Sequence, residues 1–175
     1  FRDSCLAFLD KHVRPHVDDY LEAKALPREF WLAAGAGGFL GLGIPEEFGG
    51  AEAGDFRFNA ILDEELSKIN AALSSCVGIH SDIAVPYLVD LCTQDQKERW
   101  LPKAASGELL TAIAMTEPGG GSDLAALKNT GVREGDTWVI NGSKTFITNG
   151  LSADLVITAV RTSPDKGARG ITLFA

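Results

Sequence analysis

A glycine-rich loop that follows a predicted strand is the first part of the chain that could do chemistry. Residues 115–123 read Met-Thr-Glu-Pro-Gly-Gly-Gly-Ser-Asp. Glycines let backbone N–H groups converge because no Cβ stands in the way, and the Ser122 hydroxyl adds a polar group to a concavity that suits an anion. A flexible β-turn explains the same residues equally well.

A second stretch, residues 141–150, could hold a flat heterocycle. Phe146 offers a flat apolar face, and Thr148 offers a hydroxyl two residues later. In a regular strand the two side chains point to the same side of the sheet, which predicts an aromatic platform with a hydrogen-bonding group beside it. Taken singly, Phe146 is more often a core residue and Thr148 simply a residue that favours strands.

In this order and at this separation, the two stretches resemble the paired FAD-binding signatures of the acyl-CoA dehydrogenase family. The loop at residues 44–50 and the helical segment at residues 94–101 resemble that family too, so the resemblance extends over essentially the whole chain. Residues 79–82 and 146–150 are most similar to the long-chain branch.

The resemblance implies that FAD is the cofactor and a fatty acyl-CoA the substrate, which is dehydrogenated to the trans-2-enoyl-CoA with hydride transfer to the flavin. The implied cofactor-binding residues are Ile113, Ala114, Met115, Thr116, Gly121, Ser122, Phe146, Ile147 and Thr148. The first four follow the pyrimidine edge, Gly121 and Ser122 approach the ribityl-pyrophosphate, Phe146 covers one ring face and Thr148 lies near N5. Ser122 would also reach the thioester arm of the substrate.

No residue of the chain matches the family's catalytic base, which is a glutamate of the C-terminal helical domain. Glu64 and Glu65 fit an exposed helix face, and Glu117 fits a support for the turn. We therefore assign no catalytic residue, expect the C-terminal domain to be absent, and expect this fragment alone to be inactive. The resemblance also implies a homotetramer and an electron-transfer flavoprotein as the electron acceptor.

Three other functions stay open on the sequence. An acyl-CoA oxidase or a flavin monooxygenase would share the fold and differ in how oxygen reaches the reduced flavin. A non-catalytic acyl-CoA-binding module is the third, although the intact Thr116, Ser122 and Thr148 favour a working flavin site.

The elements that must position these residues change in character near Leu109. The pattern predicts an α+β fold, with an all-helical bundle over residues 1–108 and an incomplete β-barrel-like or β-sandwich domain over residues 109–175. Apolar stripes predict helices over residues 6–21 and 58–76. The glycine-rich stretch at residues 35–43 predicts a loop, and Thr93 with Gln96 predicts a capped helix over residues 94–105.

The helix over residues 77–91 is apolar nearly all round, with Pro86 expected at a helix start or kink. A helix of this kind is buried or lines something apolar. Ile79, Ile83 and Ala84 are the candidates for lining an acyl-chain cavity, with ordinary helix packing as the alternative.

In the β part, Asn141-Gly142 is the strongest short hairpin signal. It predicts a hairpin between strands at residues 137–140 and 143–148. Glu134-Gly135-Asp136 is a second turn signal. Residues 153–162 and 170–175 read as further strands.

Composition and charge exclude several classes of partner and ligand. The net charge of −8 argues against nucleic acid. The three cysteines and three histidines show no metal-ligand spacing. Apolar runs are interrupted within a few residues, short of the ~20 that span a membrane, and no secretory signal is evident. We expect bacterial cytoplasm or mitochondrial matrix as the location.

Overall fold

The computed structural model describes the backbone of residues 1–175 and every side chain except that of Asp165. The predicted fold class is confirmed, since a helical domain precedes a partial mixed sheet. The helices are α1 Arg2–His12, α2 Val17–Ala23, α3 Arg28–Ala36, α4 Arg57–Ile69, α5 Ala71–Gly78, α6 Val85–Leu91 and α7 Gln94–Ser106. The strands are β1 Thr111–Ala114, β2 Thr130–Glu134, β3 Thr137–Asn141, β4 Leu155–Arg161 and β5 Ile171–Phe174.

Two helices predicted as continuous are divided in the structure. A 3-10 turn at Arg14–His16 separates α1 from α2, because Pro15 has no N–H and its ring clashes with the carbonyl four residues earlier. Asn70 separates α4 from α5 with an extended backbone, φ −162° and ψ 129°, and its side chain accepts the N–H of Ala72. The apolar period runs through both breaks, so periodicity alone does not reveal them.

A π-helical turn, Ile79–Ala84, joins α5 to α6, and Pro86 lies in the first turn of α6 as predicted. Within the described residues, the 21-residue stretch Ala71–Leu91 is long and apolar enough to cross a membrane. The apolar runs of the sequence were expected to be too short for such a segment. A helix buried in a protein core meets the same criteria, and Val77, Val85 and Leu88 of this stretch are core residues here.

Two aspartates meet beside the π-turn. A Cβ added to Gly78 would lie 3.6 Å from both Asp63 Oδ1 and Asp82 Oδ2, and the Asn59 amide donates a hydrogen bond to Asp82. Burial raises the pKa of Asp82 to about 7; Asn59 opposes the rise, while the hydrogen bond and charge of Asp63 add to it. The folded protein therefore retains a proton on this pair well above the ordinary range of aspartate.

Asp82→Asn is expected to change how stability depends on pH. The wild-type folded state holds a proton on Asp82 up to about pH 7, whereas the unfolded state releases it near 3.8. Folding thus binds a proton in this window, and this contribution to stability is lost as the pH rises through it. The free energy of unfolding of the variant, measured relative to wild type, should therefore be about 2 kcal/mol higher at pH 8 than at pH 5. This figure is reduced for solvent screening.

Urea unfolding of both proteins at pH 5 and pH 8 measures this difference. Asp90→Asn replaces an exposed aspartate on α6 and is the matched control, with the same effect expected at both pH values. An Asp82→Asn effect that is independent of pH would contradict the shared proton.

Two hydrophobic clusters organise the core. The first lies inside the helical domain, around Leu9, Phe30 and Leu66. The second joins α6 and α7 to Ile157 of β4, with Ile113 packed against it. The sheet order is β1-β4-β2-β3, and β5 also pairs with β4. The second cluster therefore packs β1 and β4 against the helices.

The predicted hairpin at Asn141-Gly142 is wrong, and residues 143–148 do not form a strand. Instead β2 and β3 form a hairpin with Glu134 opposite Thr137, at the second turn signal. Gly142 has φ 144°, and a Cβ there would overlap the Asn129 side chain, whose Oδ1 accepts the N–H of Ser143 at 3.1 Å. The strands predicted around residues 153–162 and 170–175 are present as β4 and β5.

Candidate functional site

The open edge of β1 is the first component of the candidate site. β1 is the terminal strand of the sheet and pairs in parallel with β4. The Thr111 N–H points away from β4, since it bonds the ring of His80 at 3.1 Å. In a parallel ladder both polar groups of a residue point to one side and those of the next residue to the other. The backbone groups of Ile113 and Met115 therefore face the same open edge as Thr111.

A buried glutamate joins the three segments that follow this strand. Glu117 is 8% exposed, and its carboxylate accepts the backbone N–H groups of Lys128 at 2.6 Å and Asn129 at 2.9 Å. Lys144 Nζ lies 2.9 Å from the same carboxylate and donates to the carbonyl of Met115 at 2.9 Å. Burial would raise the pKa of Glu117, but the two N–H donors and the ammonium outweigh it, so the pKa lies below its ordinary value.

The two stretches singled out in the sequence lie side by side as a result. The N–H of Thr145 donates to the carbonyl of Thr116 at 3.0 Å, directly before Phe146. On the other side, a Cβ at Gly121 would be 3.4 Å from Thr116 Cγ2. Thr116 thus stands between the glycine loop and the aromatic segment, and the two share one region of the surface.

The glycine loop itself is a tight reversal with unused donors. The N–H of Glu117 bonds the carbonyl of Gly120 at 2.9 Å, and the reverse bond measures 3.0 Å. The backbone N–H groups of Gly121, Ser122 and Asp123 make no hydrogen bond within the part of the chain that the structure describes. Free N–H groups of consecutive residues in a turn are donors that an anion can accept.

Phe146 differs from the expectation for a regular strand. Its backbone is left-handed, with φ 55°, and its side chain is 91% exposed. Ile147 and Thr148 are half-buried and line a cavity of about 550 Å³ together with Trp31. The Asn149 side chain donates to the carbonyl of Cys76 at 2.8 Å and ties this segment to α5.

The three candidates for lining an acyl chain differ in exposure. Ile79 is half-buried and Ile83 is 41% exposed, whereas Ala84 is fully buried in the second cluster. Ile79 and Ile83 therefore present surface in this structure, and Ala84 does not. Their binding role remains a prediction.

Sequence reasoning missed the residues that hold the site together. Lys144 is the single charged residue between Asn141 and Gly150, and that isolation was an available signal. Asn129 and His80 gave no such signal, because their partners are far away along the chain. The three cysteines are free, and the described residues contain no cluster of three metal-ligating side chains.

The comparisons with known proteins define the class. A sequence model described as the N-terminal domain of acyl-CoA dehydrogenase matches residues 1–108, and the model of its middle domain matches residues 112–175. The chain belongs to the acyl-CoA dehydrogenase family, as the resemblance predicted.

Individual relatives make the likeness more specific. The long-chain specific acyl-CoA dehydrogenase of mouse mitochondria is 41% identical over 180 residues, covering 99% of this chain and 40% of the relative. The crystal structure of an acyl-CoA dehydrogenase from Geobacillus kaustophilus superposes with a TM-score of 0.94 at 46% identity, covering 99% of this chain and 46% of that one. The chain thus spans less than half the length of these relatives.

One relative was solved with a cofactor. A glutaryl-CoA dehydrogenase from Mycobacterium smegmatis, in complex with FADH2, superposes with a TM-score of 0.88 at 27% identity, covering 99% of this chain and 43% of that one. The predicted FAD cofactor agrees with the FADH2 bound to this relative.

Proposed function

We propose that the chain is the flavin-holding part of an FAD-dependent acyl-CoA dehydrogenase that converts a fatty acyl-CoA to the trans-2-enoyl-CoA. The observation that carries the proposal is Phe146, an aromatic ring 91% exposed on a left-handed backbone, beside a loop with free N–H groups. FAD, when bound, supplies the hydride acceptor.

Phe146 fits a flat ring for two reasons. A left-handed backbone at a residue other than glycine costs on the order of 1–3 kcal/mol and persists where the surroundings hold it. An exposed phenylalanine also forgoes about 1.5–3 kcal/mol of burial free energy. Stacking on an isoalloxazine would recover that burial, and offset stacking is the arrangement that aromatic rings prefer.

The remaining residues provide the polar contacts of the proposed site. The backbone groups of Ile113 and Met115 face the open edge of β1, where they can bond the polar edge of a heterocycle. The N–H groups at residues 121–123 and the Ser122 hydroxyl suit a pyrophosphate. Thr148, two residues after Phe146, offers a hydroxyl. The nine predicted cofactor-binding residues therefore stand as the proposed set.

This chain's part in the reaction is binding and orientation. Ser122 would hold the thioester arm, and Ile79 and Ile83 would line the acyl chain. Polarising the thioester carbonyl requires hydrogen-bond donors aimed at the developing negative charge, and bracketing the Cα–Cβ bond requires precise positioning. The catalytic base is expected outside these residues.

The wider context of the proposal follows the family resemblance. We propose a fatty acyl-CoA as substrate, electron-transfer flavoprotein as acceptor, a homotetramer as the assembly, and the bacterial cytoplasm or the mitochondrial matrix as the location. The long-chain branch is supported by the likeness to the mouse enzyme.

The proposed function is tested with the purified full-length protein. We expect the absorbance of a bound flavin, and bleaching of that flavin when a long-chain acyl-CoA is added without oxygen. A protein with no flavin and no FAD uptake would contradict the proposal and favour the binding module. Rapid reoxidation of the bleached flavin by air would favour an oxidase.

Phe146→Ala is expected to weaken FAD binding by about 10–100-fold. Loss of an aromatic partner that stacks on a heterocycle typically costs about 1–3 kcal/mol, and each 1.4 kcal/mol is a factor of ten. Fluorescence titration of the apoprotein measures the dissociation constant. Phe56→Ala removes another exposed phenylalanine, 65% exposed and remote in sequence, and should leave the constant unchanged. Equal constants for the two variants would contradict stacking on Phe146.

A further inference from the structure

His80 is a fully buried histidine that the proposed function does not use. It lies in the π-turn between α5 and α6, and both of its ring nitrogens have partners. Nε2 is 3.1 Å from the carbonyl of Ala104 in α7. Nδ1 is 3.1 Å from the backbone nitrogen of Thr111 and 2.8 Å from its hydroxyl. One side chain thus connects the π-turn, α7 and the first residue of β1.

These contacts define one state of the ring. A backbone N–H can only donate, so Nδ1 must be bare, and Nε2 must carry the hydrogen that reaches Ala104. The Thr111 hydroxyl, which is also fully buried, donates to the same Nδ1. A proton on Nδ1 would face two donors, so the contacts require a neutral imidazole.

The position at which His80 contacts β1 indicates what these hydrogen bonds do. The ring occupies the first position on the open edge of the strand, at Thr111. Lys144 occupies the far end of that edge, at the carbonyl of Met115. Between these two anchors lie the backbone groups of Ile113, which the proposed function assigns to the flavin. Among the strands that the structure describes, none pairs with β1 on this side.

We propose that His80 is a positioning residue that fixes β1 against the helical domain and so sets the edge on which the flavin binds. This inference rests on the proposed function for its ligand, but the anchoring of β1 can be measured without any ligand. His80 touches neither flavin nor substrate in this role; it acts through Thr111.

His80→Leu in the full-length protein removes all three hydrogen bonds of the ring and leaves an apolar side chain of moderate size in its place. We expect about tenfold weaker FAD binding and, in the apoprotein, about tenfold faster hydrogen exchange of the peptide that covers Thr111–Ala114. Leu66→Ala destabilises the first cluster without touching these residues, and it is the control for general loss of stability. It should leave FAD affinity within about twofold of wild type.

His80→Gln can donate and accept at a similar separation, and it should restore affinity to within about threefold. Thr111→Val removes only the hydroxyl and should weaken FAD binding less than His80→Leu does. This variant keeps the test available if His80→Leu does not fold. FAD affinity and exchange in His80→Leu no different from Leu66→Ala would overturn the proposal, as would failure of Gln to outperform Leu.

The two proposals can fail separately. A wild-type protein that takes up no FAD would overturn the proposed function. Exchange at residues 111–114 would still decide the anchoring: faster exchange in His80→Leu supports it, and unchanged exchange removes it.

Discussion

Glu117→Gln is expected to lower the free energy of unfolding by about 3–5 kcal/mol and to abolish tight FAD binding. The substitution leaves the Lys144 ammonium, whose side chain is 9% exposed, without its carboxylate. Removing one partner of a buried ion pair has a cost of this size because an uncompensated charge remains. The backbone N–H groups of Lys128 and Asn129 also lose a charged acceptor. The segments on both sides of Thr116 are thereby released.

Chemical unfolding and FAD titration measure the two effects. Asp10→Asn is the matched control, since Asp10 pairs with Arg14 on the surface of α1 and such a pair contributes roughly 0.5 kcal/mol or less. Lys144→Met in the Glu117→Gln background should recover part of the loss, because it removes the stranded charge. A loss below about 1 kcal/mol in the single variant would show that the pair does not hold the site.

The same carboxylate also gives the wild-type protein a defined response to acid. The pKa of Glu117 is lowered in the folded state, so its contribution is complete above the ordinary value near 4.5 and is lost as the pH falls through the lowered one. Protonation of Glu117 is therefore expected to release the segments on both sides of Thr116 in acid.

Local signals predicted the elements whose causes are local. Thr93 and Gln96 form both bonds of a capping box at the start of α7, and Gly107 ends that helix in the left-handed region. Pro86 falls in the first turn of α6, as its missing N–H requires. Each of these features depends on residues within four positions of one another, which a sequence displays directly.

Predictions failed where a distant residue decides the conformation. Asn141-Gly142 has the composition of a hairpin turn, yet the Asn129 side chain takes the N–H of Ser143. The loop predicted over residues 35–43 is present from Gly37 onward, but its first residue, Gly35, lies in the last turn of α3. Gly35 lacks a side chain because the backbone of α7 lies against it. Local composition therefore predicts neither the conformation at Asn141-Gly142 nor the helical conformation of Gly35.

The candidate site shows the same division. The sequence supplied the residues that would touch a flavin, because the glycine loop and the Phe146 segment have local patterns. It indicated Glu117 only as a support for the turn, and it did not indicate Lys144 or His80 as structural anchors, since the partners of these residues lie 11 to 31 positions away. The signal of a binding surface is local, whereas that of its support is long-range.

Gly35→Ala is expected to destabilise the protein by at least about 3 kcal/mol. A Cβ at Gly35 would overlap the backbone carbonyl of Ser106 at the end of α7, and backbone atoms cannot turn aside as a side chain can. Forcing atoms into a close-packed contact typically costs about 1–3 kcal/mol, and more where nothing can move. The intrinsic helix preference of alanine over glycine, about 1 kcal/mol, acts in the opposite direction and is too small to offset it.

Because α7 leads directly into β1, separating α3 from α7 should also disturb the edge on which FAD is proposed to bind. Gly43→Ala is the matched control: a Cβ there meets nothing within 4 Å, and stability should change by less than about 1 kcal/mol. Thermal unfolding of both variants measures the change in stability, and FAD titration measures the effect on the proposed binding edge. A Gly35→Ala protein as stable as the control would mean that α3 and α7 do not approach as closely as the structure has them, and the position of β1 would then need another support.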